Sequence, residues 1–181
     1  MKTRMKTNDV AFAFRMGAGF PGDVNRTHPA SIEPALNHLT TPVTLFGQAV
    51  IVDPTTQSVR PFAIADQSNT VVKGYGVAVR PYPFQQASAS NFGQADIGAA
   101  PAAAGAIDIL RSGYIMGQLN TAGGAALKGN PVYVWTAATG GGHTLGGFEA
   151  VYSAGNTTQF WNATFNGSAD ASGNVEIAVN I

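Results

Sequence analysis

The sequence predicts an all-β protein: a jelly-roll-like β-sandwich or barrel carrying an extended, irregular N-terminal arm. Three observations predict it. About eight short runs rich in Val, Ile, Tyr, Phe and Thr recur along the chain, with turn residues between them at short intervals. Two C-terminal runs alternate apolar and polar residues with the period of a strand. Almost no stretch has helical character, because 22 glycines and 10 prolines punctuate 181 residues.

Residues 1–42 read as the arm. Gly17, Gly19, Pro21, Gly22, Pro29, Pro34 and Pro42 break any regular element there, while Phe12, Phe14 and Phe20 sit among the breakers. An irregular but aromatic segment needs something to lie against, either its own domain or a neighbouring chain. Extended, it reaches at most about 140 Å, so an intermolecular role is sterically open. Within it, Ser31 to His38 suggests a short helical turn capped by Ser31.

Residues 43–181 read as one β domain. Val43 to Val52 is rich in β formers and ends at the turn Asp53-Pro-Thr-Thr56. Val59 to Ala65 gives a short strand and Thr70 to Arg80 a longer one. Gly74 and Gly76 flank Tyr75, which marks a bulge or a close backbone approach. Residues 85–105, rich in Ala, Ser and Gly, form a long loop with little to bury. The central stretch follows: Ala106 to Leu119, a small-residue turn at Thr121-Ala-Gly-Gly124, then Ala126 to Trp135. A glycine-dense loop, expected to be mobile and to leave His143 loose, leads to a short strand at Phe148 to Tyr152. In Gln159 to Phe165, Trp161, Ala163 and Phe165 share one face. In Val175 to Ile181, Val175, Ile177, Val179 and Ile181 do the same. These last two runs form a hairpin around Asn166 to Gly173. Trp135 and Trp161, both at the apolar phase of a strand, are expected in the core.

The totals exclude several classes. With no cysteine there is no disulfide frame, thiolate metal site or cysteine nucleophile. Ten basic and ten acidic side chains balance, so no global field draws nucleic acid or an anionic membrane. No apolar run reaches the roughly 18 residues that a membrane span needs. The basic start, Met1 to Lys6, lacks the apolar stretch of a signal peptide, so the expectation is a product made and kept in the cytoplasm. On that expectation the Asn-x-Ser/Thr matches, such as Asn162-Ala-Thr164, carry no glycan. Charged residues make up only 11% of the chain. That suits a surface to be covered by a partner, since burying charge is costly, and equally suits a neutral Thr/Asn-rich β surface.

Catalytic signatures are missing. Gly124 to Gly129 places its lysine before the glycine, which breaks a phosphate loop. No serine has the Gly-x-Ser-x-Gly context of a nucleophile elbow. His28, His38 and His143 share no metal-ligand spacing and no nearby carboxylate pair. No cofactor is expected.

Several segments together resemble the capsid cement, or decoration, proteins of tailed double-stranded DNA bacteriophages, short-tailed ones in particular. They are Gly19 to Arg26 (an N-terminal Gly-x-x-x-Arg segment), Val72 to Pro83 (a Gly-x-x-Val-Arg-x-Tyr-Pro strand end), Gly129 to Val134, Gly147 to Ala150 and Val175 to Ile181. The resemblance implies a jelly-roll protein without enzyme activity or cofactor. It would sit on the outer capsid surface of the virion, clamp the major capsid protein, and often form a homodimer on a symmetry axis. Phe12, Phe14, Arg15, Phe20 and Arg26 are then the expected partner contacts. Two other readings compete. Trp135 and Trp161 on a β scaffold suit a carbohydrate-binding or adhesin-like module, and scattered acids leave room for a hydrolase.

Overall fold

The computed structural model describes residues 19–67, 74–81, 101, 105–120 and 126–181. Nine strands follow in order: β1 (Ser31–Leu36), β2 (Ala49–Val52), β3 (Val59–Pro61), β4 (Gly76–Ala78), β5 (Ala106–Gln118), β6 (Pro131–Trp135), β7 (Phe148–Glu149), β8 (Thr157–Phe165) and β9 (Asn174–Val179). A 3-10 turn at Ile64–Asp66 is the only helical element among the described residues. The strands pair antiparallel in the order β3-β2-β4-β5-β9-β8-β6-β7, with β1 also on β5. The fold is all-β, as the sequence predicts.

The thirteen-residue β5 organises the sheet. Its first half pairs with β1 and β4, its second half with β9. A strand that changes partners in this way turns a corner between two layers. The corner falls at Gly113, whose φ is +139° and whose missing Cβ would lie 2.8 Å from the Pro29 carbonyl oxygen. The sheet then curls back on itself. Leu119, just past β5, bridges Phe148 of β7, and Asn120 N–H donates to the Phe148 carbonyl at 3.0 Å. Ala49 N–H donates to Gly146 O at 3.0 Å and brings β2 to the same seam.

The curl encloses one main core. Phe62 and Phe148 pack against Phe160, at 6.1 and 6.2 Å between ring centres, and Phe165, Ile115, Ile177, Val132 and Val134 fill the space around them. A second cluster of Val43, Val50, Val59, Ala78, Ile107 and Ile109 uses the alternate residues of β2, β4 and β5. These strands are therefore buried on both faces, which is why they read as continuous apolar runs. Ala35 of β1 packs on that second cluster.

The central runs and the C-terminal hairpin fall where the sequence places them. β5 and β6 hold the two halves of the central stretch, although β9 and β8 lie between them, and β8 pairs with β9. Gly74 and Gly76 are close approaches: an added Cβ would stand 1.9 Å from the Phe160 ring and 2.4 Å from the Leu110 carbonyl oxygen, respectively.

Four expectations are corrected. Ser31 to Leu36 is a strand, not a helical turn, because its backbone is paired to β5 along its length. Pro34 is tolerated because β1 is an edge. The strand expected from Val43 begins only at Ala49. Trp161 is 61% exposed rather than core. The cause is a bulge in β8: Asn162 has φ +61° and the β6 register shifts between Pro131 and Tyr133. Two successive residues, Trp161 and Asn162, face solvent, and the alternation resumes at the buried Ala163. Ile181 likewise lies beyond β9 and is exposed. The loop of residues 85–105 falls largely outside the described residues.

Candidate functional site

The chain from Gly19 onward lies along β5. Gly22 N–H donates to Met116 O at 2.8 Å, Met116 N–H returns a bond to Asp23 O at 2.8 Å, and Asn25 N–H reaches Tyr114 O at 3.3 Å. Side chains reinforce this seam. The Arg26 guanidinium donates to Glu176 of β9 at 2.8 and 3.3 Å and stacks 4.0 Å from the centre of the Tyr114 ring. Asn25 and Asn166 also donate to Glu176. Burial pushes the Glu176 carboxyl up, but the hydrogen bonds from Arg26, Asn166 and Asn25 outweigh it and hold it below the ordinary glutamate value of 4.5.

A second anchor holds β1. Glu33 accepts from the Tyr75 hydroxyl and from Arg111 Nη1 at 2.6 Å, and the Arg111 guanidinium lies 3.6 Å over the Tyr75 ring. The Tyr75 and Arg111 bonds hold Glu33 below its ordinary value too. Both glutamates bind protons less readily folded than unfolded. The stability they contribute is therefore complete above their unfolded value and is lost as pH falls through the lower folded one. Thermal melts taken from pH 7 down to about pH 3 should show this acid loss, and Glu176→Gln should shrink it while lowering stability at neutral pH. An unchanged acid limb in that variant would mean that the Arg26–Glu176 seam contributes nothing.

The two anchors leave β1 with one free face. Glu33 and Ala35 point inward, while Ile32, Pro34 and Leu36 point outward. Ile32 is 46% exposed, Leu36 58% and, just beyond the strand, Leu39 76%. Asn37 N–H bonds inward to Gly105 O, so alternation puts the backbone donors of Ile32 and Leu36 on the outer edge, with Pro34 between them lacking one. The result is an apolar stripe on a strand edge that is open beside Ile32 and Pro34 and closes just past Leu36, where His38 N–H donates to Val59 O of β3 at 2.9 Å. The alternation Ile-Glu-Pro-Ala-Leu could have revealed it, but the proline reads as a breaker.

The sequence-predicted contacts distribute unevenly. Phe12, Phe14 and Arg15 lie outside the described residues. Phe20 is 65% exposed, its ring 4.8 Å from the Arg80 guanidinium, at the rim of a cleft of about 510 Å³. Arg26 is engaged within the chain by Glu176 and Tyr114. Leu45, Phe46, Asn120 and Ser172 also line the cleft, and among the described residues that line it Arg80 is the only ionisable one. No group of three or more His, Asp or Glu side chains could hold a metal among the described residues.

His143 differs from its expectation. It is pinned rather than loose in its glycine loop. Its ring stacks on Trp135 at 4.0 Å and its Nδ1 lies 2.6 Å from the buried Glu149, to which Asn120 also donates at 2.8 Å. A carboxylate six residues away is thus its partner, and the cluster ties the loop to β6, β7 and the end of β5.

Comparison with known proteins fits an interaction protein. The XM1 gp53 minor capsid protein family model matches residues 10–179. No curated protein sequence matches. Among solved structures, a chain of the capsid of Myoviridae phage XM1 superposes with a TM-score of 0.65 over 92% of this chain and 93% of that chain. Its sequence is 14% identical, so that likeness speaks to the fold. The family match covers nearly the whole chain: this protein belongs to the XM1 gp53 minor capsid protein family, the structural, capsid-associated proteins of a bacteriophage virion.

Proposed function

We propose that the protein is a non-enzymatic cement on the outer surface of a tailed-phage capsid, where it clamps major capsid protein subunits against internal genome pressure. The observation that carries this reading is the outward apolar stripe of Ile32, Leu36 and Leu39, set on a sheet edge and held rigid from behind by the Glu33–Arg111 pair. Exposed apolar side chains beside unpaired strand donors suit strand-edge or groove docking. Phe20 and the segment that precedes it, with Phe12, Phe14 and Arg15, supply a second contact. A homodimer on a symmetry axis places two such stripes across one subunit boundary.

The mechanism is linkage. A ligand that binds the assembled, expanded lattice better than free subunits stabilises the lattice. Many copies act together, so each contact need only be modest. Charge scarcity helps, since few ions must be desolvated on docking.

Co-sedimentation with undecorated, expanded capsids tests the reading. Saturable binding at a symmetry-compatible number of copies is expected, with little binding to free capsid subunits. Deleting residues 2–18 should leave the melting temperature close to that of the full chain and weaken capsid binding. No binding by a folded, monodisperse protein would refute the clamp.

A further inference from the structure

The outward face of β6 and β8 is a second exposed surface, distinct in composition from the β1 stripe. β6 reads Pro-Val-Tyr-Val-Trp and β8 reads Thr-Thr-Gln-Phe-Trp-Asn-Ala-Thr-Phe, so neither strand holds a carboxylate, a lysine, an arginine or a histidine. Tyr133 of β6 faces outward and packs on Tyr152, which is 59% exposed, with 5.8 Å between ring centres. Across the ladder Tyr133 is opposite Gln159, and two residues further along the same face stands Trp161. Gln159, Asn162 and Thr164 are exposed between and beside these rings.

Trp161 keeps the phase of Gln159 and so faces solvent, and the strand changes phase only after it, at Asn162. Alternation counted back from Ala163 and Phe165 would place it in the core. The bulge at Asn162, a non-glycine residue in the left-handed region, separates the two phases. Such a residue costs about 1 kcal/mol or more, and bulges commonly re-aim side chains at working surfaces. Exposing the indole forgoes a further 1.5–3 kcal/mol, roughly the burial value of a large apolar side chain. The strain falls on Asn162 and the exposure on its neighbour Trp161, while the bulge between them and Ala163 lets both Phe160 and Phe165 reach the core.

We propose that this face binds a neutral polysaccharide. A sugar ring offers a flat C–H face and a rim of hydroxyls, and the patch offers the complement of each. Trp161, Tyr133 and Tyr152 supply flat apolar planes, while Gln159, Asn162 and Thr164 supply neutral donors and acceptors between them. An anionic polymer or nucleic acid would require cations that β6 and β8 do not carry. The surface is separate from the stripe assigned to the capsid: β1 lies on β5, whereas β9 and β8 stand between β5 and β6. A capsid-bound molecule could therefore present it outward.

The test uses the full chain. Native electrophoresis through gels cast with a neutral glucan, mannan or galactan, and binding to an array of neutral oligosaccharides, should give retardation or saturable binding with a shift in tryptophan fluorescence. Trp161→Ala should weaken that binding at least tenfold with an unchanged melting temperature. Ile32→Lys with Leu36→Lys should leave it intact, which separates this surface from the capsid contact. Failure to bind any neutral glycan, or full binding by Trp161→Ala, overturns the proposal. So does sedimentation in which Trp161→Ala turns a dimer into a monomer, since the face would then be covered by a second copy.

Discussion

A chain carrying Ile32→Lys and Leu36→Lys is expected to stay folded and to lose capsid binding by at least a hundredfold. The two side chains are 46% and 58% exposed, so the isolated molecule gains little from them and the melting temperature should move by no more than a few degrees. Docking is different. Fully burying an isoleucine or leucine contributes about 1.5–3 kcal/mol, so a half-exposed pair adds roughly 2–3 kcal/mol on contact, which is more than tenfold in affinity. Lysine removes that gain and adds the cost of desolvating a cation against an apolar partner. It is also the residue natural proteins place on sheet edges to block pairing, so the substitution opposes docking without opposing the strand. Co-sedimentation with expanded capsids reads the loss and thermal melting reads the fold. Ile32→Ala with Leu36→Ala should fall between the two. Undiminished binding by the lysine variant would remove β1 from the contact and leave Phe20 and the residues before it to carry attachment.

What could be read from the sequence follows the range of the interactions involved. β5 and β6 were legible as apolar, β-rich runs parted by a small-residue turn, and the β8–β9 hairpin because its two runs alternate apolar and polar residues. Gly74 and Gly76 were legible as close approaches because two glycines around a tyrosine mark backbone that another element comes near, although the residues they approach, Phe160 and Leu110, lie far along the chain. β1 was not legible. Its own residues favour a capped turn, and only the register with Ser112 to Ala106 makes it a strand. Trp161 misled for the same reason: alternation assumes unbroken pairing, and the bulge at Asn162 is a property of the β6–β8 ladder rather than of the local sequence. His143 read as a loose loop residue because nothing in a glycine run announces that Trp135 will stack on it and Glu149 bond to it. The stripe of Ile32, Leu36 and Leu39 was missed with β1 itself. Of the contacts the sequence did suggest, Phe20 is exposed and Arg26 is spent inside the chain.

Gly113→Ala is the substitution expected to damage the fold most for the smallest chemical change. Gly113 stands where β5 leaves β1 and β4 for β9, so its backbone sets the angle between the two layers. At φ +139° an L side chain is strained whatever surrounds it, which costs about 1–3 kcal/mol. Here the surroundings are also closed. The new Cβ would meet the Pro29 carbonyl oxygen at 2.8 Å and the Ala30 Cα at 3.2 Å, both backbone atoms that cannot rotate away. Relief requires residues 29–30 to back off from β5, and those residues lead into β1. The total loss should be about 2–4 kcal/mol, a fall in melting temperature of roughly 5–15 °C for a chain of this size. Capsid binding should fall with it, because the stripe on β1 loses its fixed position. Gly129 is the control. It too has a positive φ, +86°, but none of the described residues lies within 4 Å of an added Cβ, so Gly129→Ala tests backbone strain without that contact. Equal losses in the two variants would mean that the contact with Pro29 and Ala30 adds nothing. A larger loss at Gly113, with faster proteolysis between Arg26 and Ser31, would place the difference where β1 meets the corner of β5.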